Sequence, residues 1–238
     1  IEIPGALRVP NGAAALERNL REEFRKSSGA SDLEIVEGEP LIALLRVAKT
    51  WEADLVVVGT HGRSGVSLLL LGSVAEALLR ESPVPVLVVR EAPRPIRSVL
   101  APMNFTSYSG QAFLYAAAVA ANLKARLTLH HGAGAGETFA ETRERLEGEL
   151  ERLPKDIREA CSPRAVVSQG DEPDAIARVC GGYDLVVLSG HRKGFLRDLM
   201  AGTTAQQVVR GVKTPLLAVP AEVEQGRLEL SRWASAER

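Results

Sequence analysis

The chain has few cysteines and no surplus of charge of either sign, and it contains no long hydrophobic run. Its two cysteines, Cys161 and Cys180, lie far apart and lack the spacing of metal ligands. We therefore expect free, buried thiols in a reducing cytoplasm rather than a disulfide scaffold. The formal net charge of -1 among 238 residues gives no reason to expect binding to nucleic acid or to an anionic membrane.

Membrane insertion and secretion are not expected either. No apolar stretch reaches the roughly 18 residues that a spanning helix requires, and the first residues lack the basic lead and continuous apolar core of a signal peptide. A chain of this length with 45% hydrophobic and 25% charged residues is typical of a globular protein of about two domains.

The most informative segment runs from residue 54 to residue 89. Residues 55–58 are an unbroken β-branched and apolar run that predicts a buried strand. A loop rich in glycine and hydroxyl groups follows, then a helix from Ser73, then a second buried strand at 84–89 after Ser82-Pro83. Such a loop between a parallel strand and a helix presents backbone N–H groups, so it predicts an anion site and most naturally a phosphate site.

The predicted helix start carries a capping signal. Ser73 is followed three residues later by Glu76, which is the spacing of a capping box. We expect Ser73 to cap the helix, with a phosphate contact as an additional role left open.

The chain is built from an internal repeat. The segment 184–188 repeats 54–58 at an offset of 130 residues, and the register continues with His191 for His61 and Gly202-Thr203 for Gly72-Ser73. We predict a first domain at 1–92, a second at 97–220, and a C-terminal tail at 221–238.

Strands and helices alternate throughout the second repeat. The predicted strands are apolar throughout, which favours an α/β fold with a doubly wound parallel sheet in each domain. The strands are expected at 99–102, 127–131, 164–168, 184–188 and 216–219, and the helices at 107–123, 137–153 and 173–179. The first repeat is shorter: residues 13–26 match the second helix and 32–36 the strand after it, so its opening strand and helix are expected to be missing from the sequence as given.

The glycine loop has a specific spacing. Two residues separate Gly59 from Gly62, and nine separate Gly62 from Gly72-Ser73. Placed after DLVVVGTHGR, this pattern resembles the nucleotide loop of the universal stress protein family. It is neither a P-loop nor the GxGxxG of dinucleotide folds.

The resemblance implies a Rossmann-like fold and, in family members that bind ATP, phosphate and ribose contacts from the loop and the helix start. An Asp at the end of the first strand lies near the adenine in those members. The expected nucleotide-binding residues of the first domain are Gly59, Thr60, His61, Gly62, Arg63, Gly72, Ser73 and Val74. The weaker equivalents in the second domain are Asn104, Gly202 and Thr203.

The second repeat departs from this pattern. Asn104 stands at the Asp position, and Ser189 and Arg192 replace the two leading glycines. We expect weak or no ATP binding there, and a role as partner of the first domain. The resemblance also implies that strands 84–89 and 216–219 pair, which would make the chain an internal pseudo-dimer that is able to form a homodimer as well.

Each residue also has a structural interpretation. The glycines could serve only positive φ angles and close helix packing, His61 and His191 could fill the loop, and Arg63 could be solvated. The pair His130-His131 is not expected to bind a metal, because adjacent strand residues point to opposite faces. The charges between 137 and 151 fit a solvated helix face.

Three functions remain open at this point. The first is a cytoplasmic stress-response protein that binds ATP or a related adenine nucleotide, with or without Mg²⁺, and acts on an unknown protein partner. The second is a nucleotide-independent dimerisation and interaction module of the same fold. The third is an adenylyl-transferring enzyme, for which the sequence shows no substrate site. For the first function, at most slow ATP hydrolysis is expected, because the loop contains no general base and no carboxylate pair for Mg²⁺.

Overall fold

The structure is a computed structural model that describes residues 22, 34–59, 72–89, 94–170, 172–190 and 214–220. Within these residues, helices and strands alternate along the chain. The strands are β1 (Val56–Gly59), β2 (Val86–Val89), β3 (Ser98–Pro102), β4 (Arg126–Ala133), β5 (Arg164–Gln169), β6 (Leu185–Gly190) and β7 (Leu216–Pro220). The helices are α1 (Pro40–Thr50), α2 (Ser73–Glu81), α3 (Ser107–Asn122), α4 (Phe139–Glu151), α5 (Lys155–Cys161) and α6 (Glu172–Val179), and a 3-10 turn (Cys180–Gly182) follows α6.

All seven strands form one sheet in the order β1-β2-β7-β6-β3-β4-β5. Neighbouring strands are parallel within each repeat, whereas β2 and β7 are antiparallel. The antiparallel pair places Val86 opposite Ala218 and Val88 opposite Leu216. The predicted pairing of 84–89 with 216–219 is therefore confirmed, and the two domains share one continuous sheet.

This antiparallel junction has a geometric consequence. Strands β1 and β2 run in one direction, and β3 to β7 run in the other. The carboxyl end of β1 at Gly59 therefore lies at the opposite edge of the sheet from the carboxyl end of β3 at Pro102. Because ligands on parallel sheets bind beyond the carboxyl ends, the two domains would present their sites on opposite sides of the molecule.

Helices cover both faces of the sheet, as a doubly wound fold requires. On one face α3, α4 and α5 bury an apolar cluster that includes Phe113, Leu127 and Leu146. On the other face α2 and α6 bury a second cluster that includes Leu78, Val88 and Ile176. The fold class expected from the alternating strands and helices is confirmed. The expectation of free cysteines is confirmed too, since Cys161 and Cys180 are both buried and unbridged.

Two predictions of local structure differ from the structure. Residues 34–36, the described part of the strand predicted at 32–36, are not in a strand. The equivalent strand in the second repeat, β5, is held by pairing with β4, whereas β1 is the outermost strand on its side among the described residues. Among the described residues, no strand equivalent to β4 is therefore present to complete the backbone hydrogen bonds of a strand at 34–36.

The second difference is helix α5, which the sequence did not predict. It has only seven residues, and Ser162 in the left-handed region ends it at φ 42°. Of the helix predicted at 13–26, only Glu22 is among the described residues, and it is helical.

Candidate nucleotide sites at two edges of the sheet

The first-domain site is described at its two ends. Gly59 is the last residue of β1, and Gly72, Ser73 and Val74 begin the segment of α2. Thr60, His61, Gly62 and Arg63 lie outside the described residues. As the sequence predicted, the segment between Gly59 and Ser73 connects the carboxyl end of a parallel strand to the amino end of a helix.

The start of α2 corrects the predicted cap. Gly72 is the N-cap residue, with φ -62° and ψ 147°, and Ser73 is the first helical residue, so no side-chain hydrogen bond caps this helix. The capping box of Ser73 and Glu76 is therefore wrong. Glu76 instead donates its backbone N–H to the carbonyl of Gly72 at 2.9 Å, which is the first bond of the helix. The exposed hydroxyl of Ser73 is not used as a cap.

The backbone of the glycines does not explain their presence. Gly72 has a negative φ, and Gly59 does not lie in the left-handed region that favours glycine. A Cβ added at Gly59 would meet Val89 O at 4.0 Å, which is an ordinary contact. The structural interpretation by positive φ is therefore wrong for Gly59 and Gly72, and packing among the described residues does not require a glycine at position 59.

The first turn of α2 presents backbone N–H groups that the helix itself does not use. The N–H groups of Ser73, Val74 and Ala75 precede Glu76 and have no carbonyl four residues back within the helix. Such amides and the positive end of the helix favour an anion. Glu76 also lies in this turn, and its carboxylate offsets part of that positive potential.

In the second domain, Asn104 belongs to a closed polar cluster after β3. Its Oδ1 accepts hydrogen bonds from the backbone N–H of Thr106 at 3.3 Å and from the Thr106 hydroxyl at 2.7 Å. Thr106 is in turn the N-cap of α3, where its Oγ1 accepts from the N–H of Ser109. The side-chain oxygen of Asn104 thus supports the start of α3. Gly202 and Thr203 lie outside the described residues.

The two histidines at the end of β4 point to opposite faces, as expected. His130 is fully buried, and its Nε2 lies 2.9 Å from Ser168 Oγ. Burial, followed by the charges of His131 and Arg178, lowers the pKa of His130 from 6.5 to about 4. Its Nδ1 has no hydrogen-bond partner among the described residues. His130 is therefore a neutral core residue at physiological pH.

His131 joins three segments at the same edge. Its Nδ1 lies 2.6 Å from the carbonyl oxygen of Met103, and its Nε2 lies 3.1 Å from Glu137 Oε2. The backbone N–H of Gly134 also donates to Glu137 Oε2 at 2.9 Å. This backbone bond, and then the bond to His131, hold the pKa of Glu137 below its usual value. Glu137 precedes α4 and its carboxylate contacts the His131 ring. It is therefore not part of the solvated helix face that the sequence predicted.

An aromatic residue completes this second-domain edge. Phe105 follows Asn104 directly and has φ 58°. Its ring centroid lies 5.1 Å from that of His131, and the Arg145 guanidinium carbon lies 3.7 Å from the ring centroid. Sequence reasoning missed Phe105, Glu137 and Arg145, because they are brought together by the fold and belong to no motif.

Within the described part of the chain, no three His, Cys, Asp or Glu side chains are arranged to hold a metal ion. The geometry instead defines a class of protein. It is a tandem of two Rossmann-like α/β domains joined through antiparallel strands, with a glycine-bearing strand-to-helix segment in the first domain.

Comparison with known proteins gives the family. The model of the universal stress protein family matches the chain twice, over residues 5–90 and 95–220. The chain therefore belongs to the universal stress protein family, as a member with two tandem domains.

Individual relatives cover only part of the chain. A universal stress protein of Methanocaldococcus jannaschii is 43% identical over 58 residues, which are 24% of this chain and 34% of the relative. One of Thermus aquaticus is 36% identical over 96 residues, which are 37% of this chain and 70% of the relative. The chain thus spans about a third of the first relative's length.

A solved universal stress protein from Archaeoglobus fulgidus shares the fold, with a TM-score of 0.68 at 19% identity over 92% of this chain and 80% of that one. None of the helices among the described residues is long and apolar enough to span a membrane.

Proposed function

We propose that this universal stress protein binds ATP or a related adenine nucleotide in its first domain, through the segment from Gly59 to Val74. The observation that carries the proposal is the pair of glycines at its ends. Their described backbone conformations are open to other residues, and a Cβ at Gly59 would make only an ordinary contact, so close approach of a ligand is the reason we infer for glycine at position 59. The glycine spacing and the family membership support the same ligand.

The helix start supports a phosphate at this position. Three amides of the first turn of α2 lack acceptors within the helix, and no side chain of the described residues caps them. A phosphate oxygen can accept from these donors. Ser73, whose hydroxyl does not cap the helix, then supplies a further donor, and Thr60, His61, Gly62 and Arg63 would surround the phosphates.

We expect binding without rapid hydrolysis. The nucleotide would act by changing the affinity for a protein partner, and the second domain would serve as the partner of the first through β2 and β7. Mg²⁺ would accompany the phosphates as the counter-ion, since the loop sequence shows no carboxylate pair for it.

The test is calorimetric titration of the full chain with ATP, in the presence and absence of Mg²⁺. The variant Gly62→Arg introduces at the first-domain glycine the residue that the second repeat carries as Arg192. We expect wild type to bind close to one ATP per chain and Gly62→Arg to bind none. The matched control is Gly148→Arg, because Gly148 in α4 has open space around its Cβ position. Unchanged binding by Gly62→Arg, or no binding by wild type, would refute the proposal.

A second candidate is a nucleotide-independent interaction module. The first domain exposes large apolar side chains, with Ile42 at 66%, Trp51 at 52% and Val57 at 60% exposure. Side chains of this kind are enriched at protein interfaces. If wild type neither carries nor binds nucleotide, substitution of Trp51 and Ile42 should be the next measurement, with self-association of the chain as the readout.

A further inference from the structure

The carboxyl edge of the second domain contains a bulky residue in a rare conformation. Phe105 has φ 58°, in the left-handed region, where a residue with a large side chain is held only by its surroundings. The residue follows β3 by three positions, next to the switch point at which β3 has β4 on one side and β6 on the other. Ligands of open α/β sheets bind at such a point.

The contacts of the ring explain what holds it. On one side the Arg145 guanidinium carbon of α4 lies 3.7 Å from the ring centroid, within the range of a cation–π interaction. His131 of β4 lies 5.1 Å away, with its ring inclined at 46° to that of Phe105. The phenyl ring therefore fills a space between the end of β4 and the first half of α4.

The space around the phenyl ring is lined by His131 and Arg145. The His131 ring lies against two acceptors, with Nδ1 2.6 Å from the Met103 carbonyl oxygen and Nε2 3.1 Å from Glu137 Oε2. Arg145 supplies a permanent cation. The quadrupole of an aromatic ring favours a guanidinium over its face, and a purine base is likewise a planar π system that stacks on arginine and aromatic side chains.

We propose that Phe105 is a built-in occupant of a base-binding space in the second domain, and that it keeps this domain closed to planar ligands. Removal of the phenyl ring opens the space between His131 and Arg145 to an adenine base. The choice of adenine rests on the proposed function, whereas the space itself rests only on the contacts of Phe105. This gives the weak or absent nucleotide binding that the sequence predicts for the second domain a physical reason independent of its altered glycine loop.

The neighbouring polar contacts keep the occupant in place. Asn104 and Thr106 on either side of Phe105 are bonded to each other and to the start of α3. Their side chains are therefore engaged within the protein and fix the backbone from which the phenyl ring projects.

The experiment uses the full chain with Gly62→Arg, so that the first-domain site does not contribute. The probe is adenosine, which lacks the phosphates that the altered second loop is not expected to hold. We compare Gly62→Arg with Gly62→Arg/Phe105→Gly by calorimetry, since glycine adopts the left-handed conformation without cost. The expected result is a rise of at least about tenfold in the association constant for adenosine.

Further variants make the outcome specific. Addition of Arg145→Met to the opened variant should abolish the gain, because it removes the cation over the ring. The matched control is Gly62→Arg/Phe139→Ala, which removes a half-exposed phenyl group at the start of the same helix α4 and should leave adenosine binding unchanged. If Phe105→Gly does not fold, Phe105→Asn replaces it, because Asn tolerates the left-handed region.

The result separates this inference from the proposed function. A folded Phe105→Gly variant that gains no adenosine binding overturns the inference, even if wild type binds ATP. A gain that survives Arg145→Met also overturns it, because the space would then not be the one described. A gain that depends on Arg145 supports it, even if wild type fails to bind ATP in the first domain.

Discussion

Leu87 of the first domain lies opposite Leu217 of the second in the antiparallel pair of β2 and β7. This pair is the junction of the two repeats in the seven-stranded sheet. Because it reverses the strand direction, the glycine segment at Gly59 and the Phe105 edge lie on opposite sides of the molecule. A ligand at one of these edges would therefore make no direct contact with a ligand at the other.

Truncation at this junction should destabilise the whole chain. Leu217 is buried and contributes to the apolar cluster under α3, so Leu217→Ala leaves a cavity and should lower the free energy of unfolding by about 2–4 kcal/mol. The measurement is urea denaturation. The control is Val57→Ala in the outer strand β1, where the side chain is largely exposed, with an expected loss below about 1 kcal/mol. Equal losses in the two variants would contradict the prediction.

Two glycines should respond oppositely to alanine. Gly170 has φ 108°, and a Cβ there would lie 2.8 Å from Arg178 Nη2, which donates a hydrogen bond to the Gln169 carbonyl. Gly170→Ala should therefore cost about 1–3 kcal/mol. Gly148 lies within α4 with open space around it, so Gly148→Ala should stabilise the chain by about 0.5–1 kcal/mol. The measurement is thermal unfolding of both variants. A Gly170→Ala protein as stable as wild type would refute the predicted strain at Gly170.

The sequence predicted the sheet well because its strands carry continuous apolar runs. Residues 55–58 and 184–188 are nearly the same string, and a strand buried on both faces tolerates few polar residues. The internal repeat identified β2 and β7 as equivalent last strands of the two domains, and the family resemblance implied that these strands pair. These features depend on local pattern and can be read without the structure.

Features that depend on contacts between distant residues were missed. Glu137 fits a solvated helix when it is read locally, yet it lies against His131 at the end of β4. Phe105 has no sequence signal for the left-handed region, and Arg145, which contacts its ring, lies forty residues later in the chain. The cap of α2 moved by one residue because Gly72 and Ser73 are both acceptable N-caps.

The free energy of unfolding should decrease as the pH is lowered, because His130 takes up a proton more readily in the unfolded chain. Its pKa is 6.5 in an unfolded chain and about 4 in the folded protein, chiefly because of burial. The unfolded state therefore binds the proton more tightly, and stability that is present above pH 6.5 is lost as the pH falls towards 4. Between pH 7 and pH 5 the loss from this group should be roughly 2 kcal/mol.

The measurement is urea denaturation of wild type and His130→Gln at both pH values. Glutamine does not titrate and can still bond to Ser168, so the variant should lose less stability between pH 7 and pH 5. If both proteins lose the same amount, His130 is not the group responsible.

The final prediction separates two roles of a hydroxyl at a helix start. Ser73 begins α2 without capping it, so Ser73→Ala should change the free energy of unfolding by no more than about 0.5 kcal/mol. Thr138 is a true N-cap of α4, where its Oγ1 accepts from the N–H of Glu141 at 3.3 Å. Thr138→Ala should therefore cost about 1 kcal/mol.

ATP titration of the same two variants gives the opposite order. If Ser73 contacts a phosphate, Ser73→Ala should weaken ATP binding by about five- to tenfold, the size expected for one lost hydrogen bond, whereas Thr138→Ala should bind ATP as wild type does. A Ser73→Ala protein with unchanged affinity would remove the hydroxyl from the proposed site while leaving the backbone amides of α2 in place. A loss of stability equal to that of Thr138→Ala would show instead that Ser73 caps the helix after all.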